Sequence, residues 1–202
     1  MGRPRKFDES AVLDAAAREF RVHGFADTST EQLCDAAGVG RSTLYNTFVS
    51  KEELFVRTLE RYTITTAQRQ ADVLATSDAT GAERLTMLLD LILAEEADSA
   101  KGHHAAGCMT VGTVMTPDLL ARDSRIADVL DRDLRHRLGT LEDCVRSGQA
   151  DGSIVAEVTP LEAAWQVVTV ISGIRVSAAA GAPSSVLGRV AHDGIRTLFA
   201  ID

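Results

Sequence analysis

The sequence predicts an all-α chain in which an N-terminal three-helix helix-turn-helix unit is followed by a larger helical body. Three observations carry this expectation. Residues 29–51 read STEQLCDAAGVGRSTLYNTFVSK, two short helical stretches around a Gly-centred turn. Apolar residues recur at three- and four-residue spacing in most of the chain, the period of an amphipathic helix. Pro is scarce at four residues and aromatics make up 4%, while Ala, Leu, Val and Arg abound, a composition that favours helix over sheet. A chain of 202 residues can bury a sizeable core, as one domain or as two of modest size.

Taken in order, the first helix spans residues 8–23, with Val12, Leu13, Ala16, Ala17 and Phe20 on one stripe and Gly24 at its end. It is expected to pack across the two short helices. Ser29 or Thr30 accepts from the first free N–H groups of the next helix, and Gln32 stands three residues after Ser29, as a capping box requires. Leu33, Cys34 and Ala37 form the buried stripe of that helix. Gly38 follows, the residue a helix C-terminus takes when the chain must enter positive φ. Val39 then plugs the core between the pair. The second short helix starts near Arg41, with Leu44 and Phe48 facing inward and Arg41, Ser42, Thr43, Asn46 and Thr47 facing out. This outer face holds hydrogen-bonding groups and a single charge, a surface suited to base edges in a major groove, where Arg to guanine and Asn to adenine are the commonest pairings. From Lys51 a longer helix runs through Leu54, Phe55, Thr58, Leu59 and Tyr62. It is the expected connector, its N-terminus attracting phosphate through free N–H groups and the Lys51 charge.

The run AGVGRSTLYNTFVSKEELF, residues 37–55, resembles the second half of the DNA-binding domain of the TetR family of bacterial one-component repressors, and the RVHGF turn before Thr28 to Thr30 also resembles it. Together these cover about the first third of the chain. Two residues depart from the family pattern. Gly40 stands where Ser or Thr is usual and weakens the cap of the recognition helix; Thr47 stands where His is frequent and loses or replaces one phosphate contact. The resemblance implies a DNA-binding domain over residues 1–62, with its motif at about 29–48, and a helical ligand-binding and dimerisation domain over 63–202. It also implies a homodimeric transcriptional regulator, a repressor released from a palindromic operator by a small apolar effector. Within the motif, Arg41, Thr43 and Asn46 are expected on bases, Ser42 beside them, and Thr30, Tyr45, Thr47 and Lys51 on phosphates.

The net charge of −8 looks wrong for a DNA-binding chain until its distribution is considered. Residues 1–61 carry nine Lys or Arg against ten Asp or Glu, a balance of −1, so the remaining −7 lies in residues 62–202. Arg3, Arg5 and Lys6 form a basic tail placed for phosphate, unless it is simply a solvated terminus, and Arg41 and Lys51 bracket the recognition helix. The N-terminus has basic residues but no apolar stretch of a secretory signal after them. Gln166 and Arg175 interrupt the longest apolar run, residues 163–180, which argues against a membrane span. A cytoplasmic protein without a membrane partner is expected. Cys34, Cys108 and Cys144 are too few and too scattered for a disulfide framework.

Beyond Tyr62 the periodicity predicts a helix over 82–97, one or two short helices over the Gly-interrupted 102–116, and a long helix over 117–147 that ends at Gly148. Asp151-Gly152 marks a turn, and no alternating partner strand precedes it to make a β-hairpin. Two final helices, 160–180 and 184–200, have wide apolar faces. Following the resemblance, their residues Ala164, Val167, Val168, Ile171, Val190, Ala191, Gly194, Ile195 and Leu198 are expected to form a four-helix dimer interface with a partner's pair; intramolecular core is the alternative.

No Ser/His/Asp order, Gly-rich phosphate loop or paired-carboxylate motif stands out, so neither an enzyme nor a cofactor is expected. Asp128, Asp131 and Asp133 beside Arg132 and Arg135 read as a solvated helix face. Met87, Leu91, Cys108, Met109, Met115 and Trp165 could line a pocket for an apolar effector or fill a core. His104 and Cys108 stand four apart beside His103, a spacing usable by a metal, but a third ligand is not identifiable. Cys108 could instead be an oxidant- or electrophile-sensing thiol, or a plain core cysteine. A fold-sharing interaction protein that does not bind DNA is the competing class.

Overall fold

Two apolar clusters organise the chain in the computed structural model, which describes residues 8–101 and 107–200, the side chains of 99–101 excepted. The tail residues Arg3, Arg5 and Lys6 and the histidines His103 and His104 lie outside the described residues. Helix α1 (Glu9–Asp27) begins on an Asp8 cap and is kinked at Gly24, where φ is 72°. It lies against α2 (Thr30–Ala37) and α4 (Lys51–Leu74), and α3 (Arg41–Phe48) packs against those two. Val12, Phe20, Leu33, Leu44, Phe48, Leu54 and Phe55 meet there. Phe55 packs edge-on against both Phe20 and Phe25, with ring centroids 4.9 and 5.2 Å away.

This first cluster does not stop at the helix-turn-helix unit. It continues into Met109 of α6 (Met109–Val114), Leu119 of α7 (Pro117–Arg122), and Ile126, Val129 and Leu130 of α8 (Ser124–Asp151). Since α4 also runs unbroken through residue 62, the unit is fastened to the body by a shared core and a continuous helix. The second cluster gathers α5 (Gly81–Lys101), the latter part of α8, α9 (Pro160–Ala179), α10 (Ser184–Ile195) and a 3-10 turn at Arg196–Leu198.

Three expectations about the body need correction. The long helix over 117–147 is broken at Asp123, whose extended backbone ends α7 and whose carboxylate accepts from the Arg125 N–H to start α8. Gly148 does not end it either; α8 runs on to Asp151 and stops at Gly152 with φ 81°. Gly148 serves close approach instead: a Cβ built on Gly81 would lie 2.3 Å from its Cα. The last helix ends at Ile195 rather than 200, because the chain turns so that Phe199 makes an antiparallel bridge to Ile154.

The expected dimer interface is corrected in the same way. Ala164, Val167, Val168, Ile171, Ala191, Ile195 and Leu198 all belong to the chain's own core; Ala164, Val167, Ala191 and Ile195 have no exposed surface. Their apolar stripes face α5 and α8, and the helical period leaves a different stripe outside: Leu161, Trp165 and Val176 on α9, with Val186 and Val190 on α10. Of the expected set, Val190 at 62% exposure is the one large apolar side chain that faces outward. Gly194 is half-buried, with Val170 against its α-carbon. Among the described residues, no helix is long and apolar enough to cross a membrane.

Candidate nucleic-acid interface

The reading helix is held from behind. Ser29 accepts from the Gln32 N–H at 3.2 Å while the Gln32 side chain accepts from the Ser29 N–H at 2.8 Å, closing the capping box of α2. Gly38 adopts the left-handed conformation at φ 64° and turns the chain into α3. There Gly40 is the N-cap without a side-chain hydrogen bond, as its missing hydroxyl dictates. Leu44 and Phe48 are buried, and Arg41, Ser42, Thr43 and Asn46 are exposed on the opposite side of the same helix.

Around this face several polar groups are already bonded within the protein. The hydroxyls of Thr30 and Tyr45 lie 2.9 Å apart, joining α2 to α3, and the Arg41 guanidinium sits 5.8 Å over the Tyr45 ring. Thr47 donates to the Thr43 carbonyl. The Lys51 ammonium lies 4.5 Å over the Phe25 ring and donates to the Ala26 carbonyl at 3.3 Å, so it also closes the end of α1. Burial pushes its pKa below the ordinary lysine value despite the nearby Glu52 and Asp27.

A network that was only half legible in the sequence ties this unit to the body. Glu53 accepts from Arg57 at 2.8 Å and from Arg125 of α8 at 2.7 Å, and Arg57 reaches Glu9 of α1 at 3.3 Å. Hydrogen bonds from Arg125 and then Arg57 hold the Glu53 carboxyl below its ordinary range. The i, i+4 spacing of Glu53 and Arg57 signals one link; Arg125, 72 residues away, leaves no local signal.

The six residues expected to line an effector pocket do not converge. Met87, Met115 and Trp165 are exposed, Leu91 is half-buried, and Met109 belongs to the first core cluster. Cys108 and Met109 alone of the six share a cavity, about 100 Å³, with Phe20, Phe55 and Thr113. A larger groove of about 290 Å³ opens between α4 and α8, with Ile64, Ala67 and Val129 as its apolar wall and Glu60, Arg132 and His136 at its polar rim. Sequence reading missed it because its walls come from two helices distant in the chain.

Cys108 itself is half-buried and accepts a hydrogen bond from the Tyr62 hydroxyl at 3.5 Å. Close by, the buried Arg175 is paired with Glu96 and Glu95. Burial alone would lower the Arg175 pKa, but Cys108, Tyr62 and the two glutamates outweigh it and raise it. Among the described residues, no group of three or more His, Cys, Asp or Glu is placed to hold a metal ion.

A helix-turn-helix with a polar, exposed second helix, mounted on an all-α body, is the architecture of a one-component DNA-binding regulator. Residues 12–58, the helix-turn-helix unit, match the family model of bacterial regulatory proteins, tetR family. The chain is similar along nearly its whole length to the HTH-type transcriptional repressor ComR of Escherichia coli K12, with 29% identity over 197 residues, covering 96% of this chain and 90% of ComR. The HTH-type transcriptional repressor BdcR of the same organism is 31% identical over 122 residues, 60% of either chain. Among solved structures, a cysteine mutant of the TetR family regulator CifR, complexed with a 26 bp double-strand operator, superposes with a TM-score of 0.79 at 28% identity, over 96% of this chain and 98% of that one. The reduced form of E. coli NemR, 20% identical, shares the fold with a TM-score of 0.73 over 95% and 97% of the two chains.

Proposed function

We propose that the chain is a sequence-specific transcriptional repressor that binds a near-palindromic operator as a homodimer and leaves it when a small effector binds. The observation that carries this reading is the α3 surface: Arg41, Ser42, Thr43 and Asn46 are exposed together on a helix whose other face is pinned by Leu44 and Phe48. Arg41, Thr43 and Asn46 read bases, with Ser42 beside them, and Thr30, Tyr45, Thr47 and Lys51 hold phosphates at the edges. The operator-bound CifR relative and the repressors ComR and BdcR support the assignment. Residues 1–62 form the reading unit and 63–202 the regulatory one, with α4 common to both. This division of labour needs no catalysis, and the cytoplasm is its place.

The 290 Å³ groove beside α4 suits a small effector, being at the lower edge of ligand-pocket sizes, with an apolar wall and a few polar groups at its rim. An effector wedged between α4 and α8 favours the arrangement of reading units that does not fit the operator, which is all that release requires. A second reading rests on Cys108. Its contact with Tyr62 of α4 would be lost when the thiol is oxidised or alkylated, and the signal would then pass directly into the connecting helix. In this case Cys108→Ala binds the operator but no longer responds to peroxide or a quinone.

Gel-shift titration with the chain's own upstream DNA tests the proposal. Saturable binding to a near-palindromic fragment, competed poorly by random DNA, is expected; absence of a shift with any such fragment favours a non-DNA-binding interaction protein.

A further inference from the structure

A second cleft, about 160 Å³, lies between α1 and α4, and its lining contradicts the charge of the chain around it. Arg18 and Arg21 of α1 and Arg61 and Arg69 of α4 all line it, against the single carboxylate of Asp14, in a protein whose net charge is −8. Asp14 is engaged by Arg61, with hydrogen bonds of 2.7 and 3.0 Å. Arg21 donates to the Gly107 carbonyl at 3.1 and 2.8 Å, and Arg69 lies 3.2 Å from Glu95, so two of the four guanidiniums are held in place from behind. With Asp14 against Arg61 and Glu95 against Arg69, the arginines of the concavity still outnumber the carboxylates that meet them, which favours an anion there, and a guanidinium fork matches the oxygens of carboxylates and phosphates.

An independent feature points to the same place. Thr58 lines the cleft at 1% exposure, and its hydroxyl has no hydrogen-bond partner among the described residues. A buried hydroxyl without a partner is costly unless something supplies one. The cleft is below the usual size of pockets for drug-sized ligands, which restricts its occupant to a small molecule. It also lies away from the reading surface: Thr58 to Arg69 falls roughly 10–27 Å along α4 from Lys51, at 1.5 Å per residue.

We propose that this cleft is a binding site for a small, multiply charged oxyanion bearing phosphate or carboxylate groups, which draws the arginines of α1 and α4 together and locks the first helix onto the connecting helix. The site is separate from the α3 surface and from the α4–α8 groove, and anion binding is measured on the free protein, so failure of the DNA reading would leave it standing.

The test is calorimetric titration of the full chain with inorganic phosphate and with citrate, at fixed pH and ionic strength. One saturable site per chain is expected for at least one of them, and the preferred anion identifies phosphate or carboxylate as the recognised group. Thr58→Val and Arg18→Gln should each weaken binding about tenfold, the loss of one hydrogen bond to a charged group. Arg135→Gln, an exposed arginine paired with Asp131 on α8, should leave it unchanged. Thr58→Val should melt at or above the wild-type temperature in anion-free buffer, which separates the loss of binding from loss of fold. Absence of saturable binding by either anion, or equal weakening by Arg135→Gln, would overturn the site. If the arginines serve DNA phosphates instead, neither anion saturates and Arg18→Gln weakens binding to all DNA alike.

Discussion

Single residues divide by what their loss should do. On the proposed reading, Arg41→Ala should cost about 1–3 kcal/mol on the operator and relax specificity at one position, with little effect on random DNA, because a base contact carries sequence information that a phosphate contact does not. Competitive gel shifts check this, and equal loss on both DNAs would remove Arg41 from base reading. Lys51→Ala should weaken all DNA and lower the salt slope by about one unit, but it should also lower the melting temperature, since the ammonium closes α1 over Phe25 and Ala26. Glu53 has a pH signature. Its folded pKa is depressed, so the unfolded chain takes up the proton first as pH falls; the stabilisation is complete at neutral pH and drains away below about pH 4. Glu53→Gln should therefore melt lower than wild type at pH 7, and the difference should shrink as the pH falls through the acid range, as followed by circular dichroism. Residue identities on α3 were legible in the sequence because period and caps alone fix which side faces out. That Lys51, Thr30 and Tyr45 also bond within the protein was not, since their partners arise only on folding.

At the scale of elements, the α2–turn–α3 motif follows its local signals: Ser29 and Gln32 form the predicted capping box and Gly38 takes the predicted left-handed turn. Gly40 leaves the start of α3 without a side-chain cap, and a Cβ there would meet nothing within 4 Å. Gly40→Ser should thus stabilise the protein by a few tenths of a kcal/mol, about 1 °C in melting temperature. A larger gain is expected at the other end of α3. Val49, between α3 and α4, holds φ at 63° with a β-branched, 78% exposed side chain, a conformation that costs a non-glycine residue on the order of 1–2 kcal/mol. Val49→Gly removes that strain at some cost in chain entropy, for a net gain of about 1 kcal/mol or 2–4 °C. A scanning-calorimetry curve for each variant decides; an unchanged or lower transition for Val49→Gly would mean that the turn is not strained. The body's elements were less legible. Helical period continues across Asp123 and through Gly148, so nothing in the pattern separates α7 from α8 or distinguishes a glycine that ends a helix from one that lets α5 approach.

For the whole molecule, the sequence supplied two wide apolar helices but not their orientation, and wide faces suit a core and an interface equally. Packing against α5 and α8 consumes the stripe through Ile171 and Ile195 and leaves Leu161, Trp165, Val176, Val186 and Val190 exposed, the surface proposed for a partner. Two substitutions separate these roles. Ile195→Asp buries an unpaired charge in the core and should unfold the chain, whereas Val190→Glu should leave it folded but monomeric in sedimentation, with operator affinity collapsed although every DNA-contacting residue is intact. A folded, dimeric Val190→Glu would move the interface elsewhere. Two α3 surfaces, presented by a dimer, are proposed to read one operator. This arrangement predicts half-sites about one helical turn, roughly 34–36 Å, or a multiple apart. The most direct test is footprinting of the protein on its own upstream DNA at defined salt, with half-site spacing varied by single base pairs. Protection of two symmetric half-sites, abolished by half a helical turn of insertion and restored by a full one, is the predicted result; protection that is indifferent to spacing, or absent from every near-palindrome, would contradict the account.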